Sequence, residues 1–219
     1  MKCMKDIILF GAGGLSKEIA SLIRRISLKE GGRWKIAGFL DDNSNLKGQQ
    51  VLNFGQVLGG IDVLNAWTTP VDVVISIGNP TSIHKVRERI VNPMVSFPNI
   101  ISPDFRMAES LFFNIGEGNI IQGGCRASVG VSIGNFNLFN GDIVFGHDAK
   151  IGDFNVLMPG IRVSGEVSIG EENLIGVGSI ILQQIKVGNK VQLGAGSVLM
   201  TKPKDGCTYL GNPAKIFRF

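Results

Sequence analysis

A six-residue period runs without interruption through the second half of the chain. When the sequence is cut every six residues from Ile115 onward, each of fifteen successive segments begins with an apolar residue. A repeat this short and regular is typical of a solenoid in which each segment supplies a short strand and a turn. The leading residues are Ile115, Ile121, Ala127, Ile133, Phe139, Phe145, Ile151, Leu157, Val163, Ile169, Ile175, Ile181, Val187, Leu193 and Leu199.

A second period, of eighteen residues, lies on top of the first. Ile-Gly or Val-Gly recurs at positions 115, 133, 151, 169 and 187, and asparagine recurs at positions 119, 137, 155 and 173. Three segments therefore form one triangular coil, in which residues eighteen apart stack above one another. Buried asparagines in such a stack can hydrogen-bond to those above and below. About five coils, spaced by roughly 4.8 Å, predict a parallel β-helix on the order of 25 Å tall.

The first half of the chain begins with a strand, a glycine-rich turn and a helix. An apolar run at residues 6–10 precedes Gly11, Gly13 and Gly14, and apolar residues then share one face of a helical pattern at residues 15–26. Backbone N–H groups at such a helix start favour a phosphate or another anion. The three glycines are therefore candidate substrate-binding residues, although the same residues can form a tight turn that binds nothing.

Two further strands end in polar residues. The first is predicted at residues 35–40 and ends at Asp41 and Asp42; the other, at residues 71–77, is followed by Asn79 and a helix at residues 82–90. This alternation predicts a small parallel α/β domain whose ligand crevice lies at the carboxyl ends of the strands. The two aspartates are either ligand-binding residues or a solvated turn.

The glycine-rich turn departs from the dinucleotide fingerprint, which requires a third glycine where this chain has Ser16. A Rossmann-like half that binds one nucleotide fits this pattern better than an NAD site. We expect two domains, at residues 1–97 and 98–219.

Composition and charge exclude several classes of protein. The formal net charge is only +4, and no basic stripe alternates with aromatic residues, so we expect no nucleic-acid partner. No apolar run approaches the roughly 20 residues of a membrane helix, and the start of the chain is predicted to be a strand rather than a signal peptide, so we expect a cytoplasmic protein with no membrane partner. Cys3, Cys125 and Cys207 are far apart and predict neither a disulfide framework nor a zinc site.

Of the two histidines, His147 is the candidate for catalysis. His84 lies in a predicted helix and is expected to be a surface or capping residue. His147 occupies the third position of its six-residue segment, so it points out of the β-helix, and Asp148 follows it directly. An imidazole can remove a proton near neutral pH, and a carboxylate can fix the ring tautomer. The alternative from the residues alone is an ordinary exposed histidine.

The whole chain resembles the bacterial sugar O- and N-acetyltransferases, typified by the sialic acid O-acetyltransferase and the N-acetyltransferase of bacillosamine biosynthesis. These proteins combine a Rossmann-like half with a β-helix built from hexapeptide repeats. The matching segments are residues 10–14, 38–43 and 77–79, then His147 and Asp148 with residues 151–154, and finally residues 211–215.

The resemblance implies a left-handed β-helix, a homotrimer with active sites between subunits, acetyl-CoA in the groove between neighbouring β-helices, and no metal. It implies that His147 is the general base, with Asp148 as a candidate to orient it, and that the Gly165 N–H binds the thioester oxygen. The nucleotide sugar would contact Gly11, Gly13, Gly14, Asp41, Asp42 and Asn79. The residues expected to line the cofactor groove, together with Gly165, are Gly176, Val177, Ala195 and Gly196.

Three positions depart from the family pattern. Gly146 stands where an acidic residue often precedes the catalytic histidine, Val156 where many members carry a second histidine, and Leu15 where His or Gln often follows the paired glycines. These departures leave the proposed role of His147 in place but weaken any inference about which sugar is bound.

We expect an acetyl-CoA-dependent N-acetyltransferase acting on a nucleotide-linked amino sugar in surface glycan synthesis. A sugar O-acetyltransferase is the close alternative, because the same base serves a hydroxyl group. A non-catalytic β-helix scaffold is the alternative from another class. A γ-type carbonic anhydrase, which has the same kind of β-helix, needs three histidines on zinc, and this chain has two.

Overall fold

The computed structural model describes residues 4–218, and these form two compact units. One unit comprises the chain through Gly78 together with Ser82–Ile100; the other comprises Asn79–Thr81 and the chain from Ile101 onward. Cys3 lies outside the described residues, so the prediction made for it is not addressed. Cys125 and Cys207 are free thiols.

The first unit is a parallel sheet with helices. The sheet order is β3-β4-β2-β1-β5-β6, and every pair is parallel except the β3–β4 hairpin. The elements are β1 (Lys5–Phe10), α1 (Gly14–Lys29), β2 (Trp34–Leu40), a 3-10 turn (Ser44–Leu46), β3 (Gln50–Val51), β4 (Gly55–Gly59), α2 (Ile61–Asn65), β5 (Val71–Ile75), α3 (Pro80–Arg89) and β6 (Val95–Ser96).

Apolar residues explain why these elements pack together. The central strands β1 and β5 are almost continuously apolar, as expected for strands covered on both faces, and α1 buries one face that includes Ile19 and Ile23. Strand β5 ends two residues earlier than predicted, and both the N–H and the hydroxyl of Ser76 donate to the Phe10 carbonyl (2.8 and 3.1 Å) just beyond its end. The β3–β4 hairpin and α2 were not predicted.

The second unit is a β-helix with three parallel sheets. Their orders are β25-β24-β22-β19-β16-β13-β10-β7, β23-β20-β17-β14-β11-β8 and β21-β18-β15-β12-β9. The strands are β7 (Ile100–Ile101), β8 (Arg106–Met107), β9 (Asn114–Ile115), β10 (Ile120–Ile121), β11 (Arg126–Ala127), β12 (Ser132–Ile133), β13 (Leu138–Phe139), β14 (Val144–Phe145), β15 (Lys150–Ile151), β16 (Val156–Leu157), β17 (Arg162–Val163), β18 (Ser168–Ile169), β19 (Leu174–Ile175), β20 (Ile180–Ile181), β21 (Lys186–Val187), β22 (Gln192–Leu193), β23 (Val198–Leu199), β24 (Thr208–Leu210) and β25 (Lys215–Phe217). A 3-10 turn (Ser110–Phe112) lies between β8 and β9.

The strand register confirms the eighteen-residue coil. Ile121 pairs with Phe139, and Phe139 pairs with Leu157, each eighteen residues further along the chain. The leading residues of the segments from Ile121 onward are buried and form one continuous apolar core. Inside it, the Phe139 and Phe145 rings meet edge to face, with centroids 5.1 Å apart.

The β-helix begins earlier than the six-residue period predicts. Strands β7 and β8 add a first coil before Ile115, and β8 pairs Arg106 with Arg126, twenty residues away. This coil contains two extra residues, so its strands do not follow the six-residue period and could not be predicted from it. At the other end, β24 and β25 form an antiparallel hairpin that closes the stack.

The predicted fold class is confirmed: an α/β Rossmann-like unit precedes a left-handed parallel β-helix. Within residues 4–218, no helix is long and apolar enough to cross a membrane.

Candidate active site

His147 and Asp148 lie in the turn after β14, at one corner of the β-helix. The Nδ1 atom of His147 is 2.9 Å from Oδ2 of Asp148, and the two side chains are 52% and 64% exposed. If the Nδ1–H donates to this carboxylate, Nε2 is left without a proton and can act as a base. Asp148 has a φ of 58°, a left-handed conformation that aspartate tolerates better than most residues.

Gly165 lies one coil above His147, eighteen residues along the chain. A Cβ atom built on Gly165 would overlap Nε2 of His147 and come within 2.7 Å of its Cε1, so any side chain here would displace the imidazole. Among the described residues, no hydrogen bond uses the Gly165 N–H. The ring of His147 and an unpaired backbone donor therefore lie next to each other.

The backbone also explains the glycine that precedes the histidine. A Cβ atom at Gly146 would come within 2.5 Å of the Gly165 nitrogen, so an acidic side chain does not fit there without moving the next coil. The carboxylate that contacts the ring belongs instead to Asp148. We call His147, Asp148, Gly165 and their neighbour Glu166 the histidine corner.

Glu166 is a neighbour of the predicted site residues that was not itself predicted, and three hydrogen bonds hold it in place. Its N–H donates to the His147 carbonyl (2.7 Å), and its two carboxylate oxygens accept hydrogen bonds from the side-chain amides of Gln183 and Gln184, each at 3.2 Å. Glu166 stacks directly above Asp148, and Gln184 directly above Glu166. The eighteen-residue spacing already places these residues together, and it is the signal that could have found them.

The other predicted cofactor residues lie at a different corner, after β19 and β22. The Gly176 N–H donates to the Leu193 carbonyl (2.7 Å) and the Gly196 N–H to the Val177 carbonyl (2.8 Å), so both are part of the ladder between coils. Val177 and Ala195 stack on each other and are exposed. Among the described residues, no hydrogen bond uses their N–H groups. We call Gly176, Val177, Ala195 and Gly196 the glycine corner.

In the first unit, the three predicted glycines lie at the carboxyl end of β1. Gly11 has a φ of 118°, and a Cβ atom there would be 2.8 Å from the Ser76 carbonyl, so only glycine fits. A Cβ atom at Gly13 or Gly14 would meet nothing within 4 Å, which leaves open space beside the turn. Gly13 precedes α1, and no side chain caps the first N–H groups of that helix.

Ser16, the residue that departs from the dinucleotide fingerprint, is buried. Its hydroxyl is 2.9 Å from that of Ser76, at the end of the neighbouring strand β5. The position that a third glycine would occupy is therefore used to tie α1 to the sheet.

Asp41 and Asp42 lie at the carboxyl end of β2, and both make internal hydrogen bonds. Asp41 accepts from the N–H groups of Ala12 (3.1 Å) and Asn43 (3.0 Å), which links the glycine-rich turn to the next strand. Asp42 accepts from the Ile61 N–H (3.1 Å). Asn79 follows β5 but belongs to the segment that groups with the second unit.

A cavity of about 520 Å³ opens beside these aspartates. Arg89, which was not among the predicted site residues, lies on its wall and donates to Asp42 Oδ2 at 2.6 Å. Since Arg89 is forty-seven residues from Asp42, no local pattern could have linked the two. The cavity is lined by Asp41, Asp42, Ser44, Lys47, Gly59, Gly60, Ile61, Asp62, Val63 and Arg89.

The other histidine, His84, and the buried Cys125 both lie outside the two corners of the candidate site. His84 lies on α3 with its Nε2 3.7 Å from Glu88. Burial raises the pKa of the Cys125 thiol to about 11, and the nearby Asp142 and Asp104 carboxylates act in the same direction. Across residues 4–218, no three His, Cys, Asp or Glu side chains are grouped so that they could hold a metal ion.

One family model matches the N-terminal part of the chain. Residues 6–94 match the family described as the PglD N-terminal domain. A search of curated proteins finds no match.

Solved structures match nearly the whole chain. The acetyltransferase domain of PglB from Neisseria gonorrhoeae FA1090, in complex with acetyl coenzyme A, is 28% identical with a TM-score of 0.84, and the match covers 98% of this chain and 100% of that one. WeeI from Acinetobacter baumannii AYE is 27% identical with a TM-score of 0.86, covering 98% and 100%. A mutant of perosamine N-acetyltransferase from Caulobacter crescentus, in complex with CoA and GDP-perosamine, is 23% identical with a TM-score of 0.86, covering 99% of each chain; at this identity it supports the fold alone.

The fold and the histidine corner define a two-part protein in which a nucleotide-binding type of α/β unit precedes a left-handed β-helix. The matches confirm the resemblance drawn from the sequence motifs. Over nearly its whole length the chain resembles the bacterial sugar acetyltransferases.

Proposed function

We propose that the protein is an acetyl-CoA-dependent N-acetyltransferase that acts on a nucleotide-linked amino sugar during synthesis of a surface glycan. The observation that carries this proposal is the exposed imidazole of His147, with Nδ1 2.9 Å from the Asp148 carboxylate. The likeness to the PglB acetyltransferase domain in complex with acetyl coenzyme A supports acetyl-CoA as the acetyl donor. Both substrates are cytoplasmic metabolites, so the cytoplasm is the proposed compartment.

In this reaction the sugar amine attacks the thioester carbonyl directly. A carbon–nitrogen bond forms, the carbon–sulfur bond breaks, and the CoA sulfur departs. Nε2 of His147 takes the proton from the attacking amine and returns it to the sulfur. Asp148 holds the ring in the tautomer that leaves Nε2 free and stabilises the imidazolium that forms.

The second requirement is a donor for the thioester oxygen as it gains negative charge. The Gly165 N–H suits this role because it is adjacent to the His147 ring and unpaired among the described residues. A backbone donor held by the stacked coils does not have to reorganise during the reaction, which is why such donors stabilise oxyanions well.

The cofactor is proposed to bind along the glycine corner. The N–H groups of Val177 and Ala195, which no hydrogen bond uses among the described residues, can donate to the amide carbonyls of pantetheine, and the glycines keep the surface free of side chains. The histidine and glycine corners lie at different edges of one β-helix. A homotrimer would bring one corner of a protomer against the other corner of its partner, and active sites between subunits are therefore proposed.

Residues 1–97 are proposed to hold the nucleotide sugar and residues 98–219 to carry out acetyl transfer. The uncapped N-terminus of α1, with open space beside Gly13 and Gly14, suits a phosphate group. Gly11 shapes this turn, Asp41 and Asp42 border the adjacent cavity, and Asn79 follows β5.

The test is to incubate the protein with acetyl-CoA and a panel of nucleotide-linked 3-amino and 4-amino sugars, with thiol release as the readout. Each amino sugar is paired with its hydroxyl counterpart. Thiol release with one amino sugar and not its hydroxyl counterpart is expected. Release with a hydroxyl sugar alone would establish the O-acetyltransferase instead, and acetyl-CoA binding without any release would favour a non-catalytic scaffold.

Shared active sites are tested by mixing two inactive variants. His147→Ala removes the proposed base, and Ala195→Glu blocks the proposed cofactor groove. If each site combines both corners from different subunits, mixing and reassembly should restore part of the activity. Light scattering reports the oligomeric state of each variant. Trimers that exchange subunits but stay inactive would show that one chain carries a complete site.

A further inference from the structure

A second cavity, of about 480 Å³, opens at the opposite end of the first unit's sheet, where the strands begin. It lies where α1 ends and β2 begins, whereas the glycine-rich turn lies where β1 ends and α1 begins. Parallel α/β sheets bind their substrates at the carboxyl ends of the strands, so this cavity is not part of that crevice. It is lined by Met4, Ile23, Arg24, Ser27, Leu28, Gly31, Gly32, Trp34, Ile36 and Phe54.

Aliphatic and aromatic side chains dominate its lining, and the Trp34 and Ser27 side chains are hydrogen-bonded within the protein. The Trp34 indole N–H donates to the Asp72 carboxylate at 2.8 Å. The Ser27 hydroxyl donates to the Trp34 carbonyl (2.8 Å) and accepts from the Trp34 N–H (3.0 Å). A ligand would therefore meet mainly hydrocarbon surface, provided by Trp34, Phe54 and their neighbours.

Arg24 is the one charged residue among the described residues that line this cavity. Its guanidinium carbon lies 4.2 Å from the centre of the Phe54 ring. Its hydrogen bonds to Asn53 are long, at 3.3 and 3.4 Å, so they are weak. A guanidinium has five N–H donors, and its strongest partner is a carboxylate bound through two of them.

We propose that this cavity binds an anionic amphiphile, with a hydrocarbon body against Trp34 and Phe54 and a single carboxylate on Arg24. The volume lies within the usual range for small-molecule sites, and an apolar wall with one polar anchor is their usual chemistry. Leu28, which is 78% exposed at the rim, would be covered by the bound chain. Such a site is independent of sugar acetylation.

The experiment uses contact quenching of Trp34 by 2-bromodecanoate. The chain has two tryptophans, so Trp67→Phe leaves Trp34 as the only one. Bromine quenches indole fluorescence only at close contact. Quenching should therefore be saturable with one site per chain, and unbrominated decanoate should reverse it. The matching bromo-alcohol, which lacks the charge, should bind about tenfold more weakly.

Matched variants locate the two parts of the ligand. Arg24→Gln should weaken quenching by about tenfold, whereas Arg25→Gln, at the next position but outside the lining, should leave it unchanged. Leu28→Gln should also weaken binding, whereas Leu111→Gln, at an equally exposed leucine elsewhere, should not. Quenching that rises linearly without saturation, or equal quenching in Arg24→Gln and the parent protein, would overturn the proposal.

Discussion

Two columns of stacked residues in the β-helix have the same eighteen-residue spacing, but one repeats a single residue type and the other varies in every coil. The inner column consists of Asn119, Asn137, Asn155 and Asn173, which are buried and identical. The side-chain amides of Asn137, Asn155 and Asn173 each donate to the side-chain oxygen of the asparagine one coil below, at 2.8–3.0 Å. The outer column, at the histidine corner, consists of Val129, His147, Gly165 and Gln183, and no residue type occurs in it twice.

The difference follows from what surrounds each position. A buried amide needs partners for both donors and acceptor, and an orphaned group costs about 1–3 kcal/mol. In the inner column those partners are the asparagines of the adjacent coils and backbone groups beside them. At the corner, solvent satisfies polar groups, so a side chain there needs no hydrogen-bonding partner from the next coil. The repeat can therefore carry a histidine in a single coil without losing its fold.

The largest expected effect comes from removing the one histidine in the outer column. His147→Ala should lower kcat for acetyl transfer by about 10²–10⁴-fold, because the proposed proton acceptor is lost. The free energy of unfolding and acetyl-CoA binding should stay unchanged, since the side chain is half exposed. Activity is measured by thiol release and stability by urea unfolding. The matched control is His84→Ala, which should retain full activity; near-normal activity in His147→Ala would remove this residue from the mechanism.

Breaking the inner column should instead unfold the protein more easily. Asn155→Ala removes hydrogen bonds to Asn137, Asn173 and the Gly170 carbonyl, so the free energy of unfolding should fall by about 3–5 kcal/mol. Urea denaturation measures the loss. Asn114→Ala, at an exposed strand position, is the control and should change stability by less than about 0.5 kcal/mol. If the two variants lose equal stability, the asparagine stack is not what holds the coils in register.

Substituting alanine for Gly165 tests whether the space between Gly165 and His147 in the outer column is needed for activity. Gly165→Ala places a Cβ atom against the His147 ring, so the imidazole must move, and kcat should fall by about 30-fold as the reacting groups separate. The KM for acetyl-CoA should change little. Gly123→Ala is the control, because its Cβ atom would meet only the Asp104 carboxylate, at 3.3 Å. Unaltered kcat in Gly165→Ala would mean that the ring position seen here is not the reactive one.

The carboxylate beside the histidine should have a smaller effect. Asp148→Asn keeps the shape of the turn but removes the charge that stabilises the imidazolium, so kcat should fall by about tenfold. Glu166→Gln, one coil above, removes a charge that does not contact the ring and should stay near the parent value. An equal loss in both variants would indicate a general charge effect rather than orientation of His147.

The smallest effect concerns the buried thiol at the inner fifth position of another coil. The pKa of Cys125 is raised to about 11, so between about pH 8 and pH 10 the unfolded chain loses this proton while the folded protein keeps it. The unfolded state then binds fewer protons, and stability should fall by about 1 kcal/mol over this range. Urea unfolding of the parent and Cys125→Ala at both pH values isolates the contribution. Identical pH dependence in the two proteins would contradict it.

Several features of the fold could be predicted from residue spacing. The leading apolar residues from Ile121 onward lie in the core, and the asparagines at positions 119, 137, 155 and 173 form the expected stack. The first coil was missed because two extra residues place Arg106 opposite Arg126. The β3–β4 hairpin was missed because Gln50–Val51 is too short to show a strand pattern.

At the candidate site, too, some properties of single side chains could be predicted from the sequence and others could not. The sequence marks His147 as an outward residue with a carboxylate beside it, because period and position are local properties. It does not reveal that the imidazole occupies the space left by Gly165, or that Arg89 reaches Asp42 at 2.6 Å. Those contacts join residues eighteen and forty-seven positions apart. Regular repeats can therefore be predicted from the sequence, because every coil has the same local spacing of apolar residues. The orientation of a particular ring or carboxylate cannot, because it depends on which distant atoms the folded backbone brings next to it.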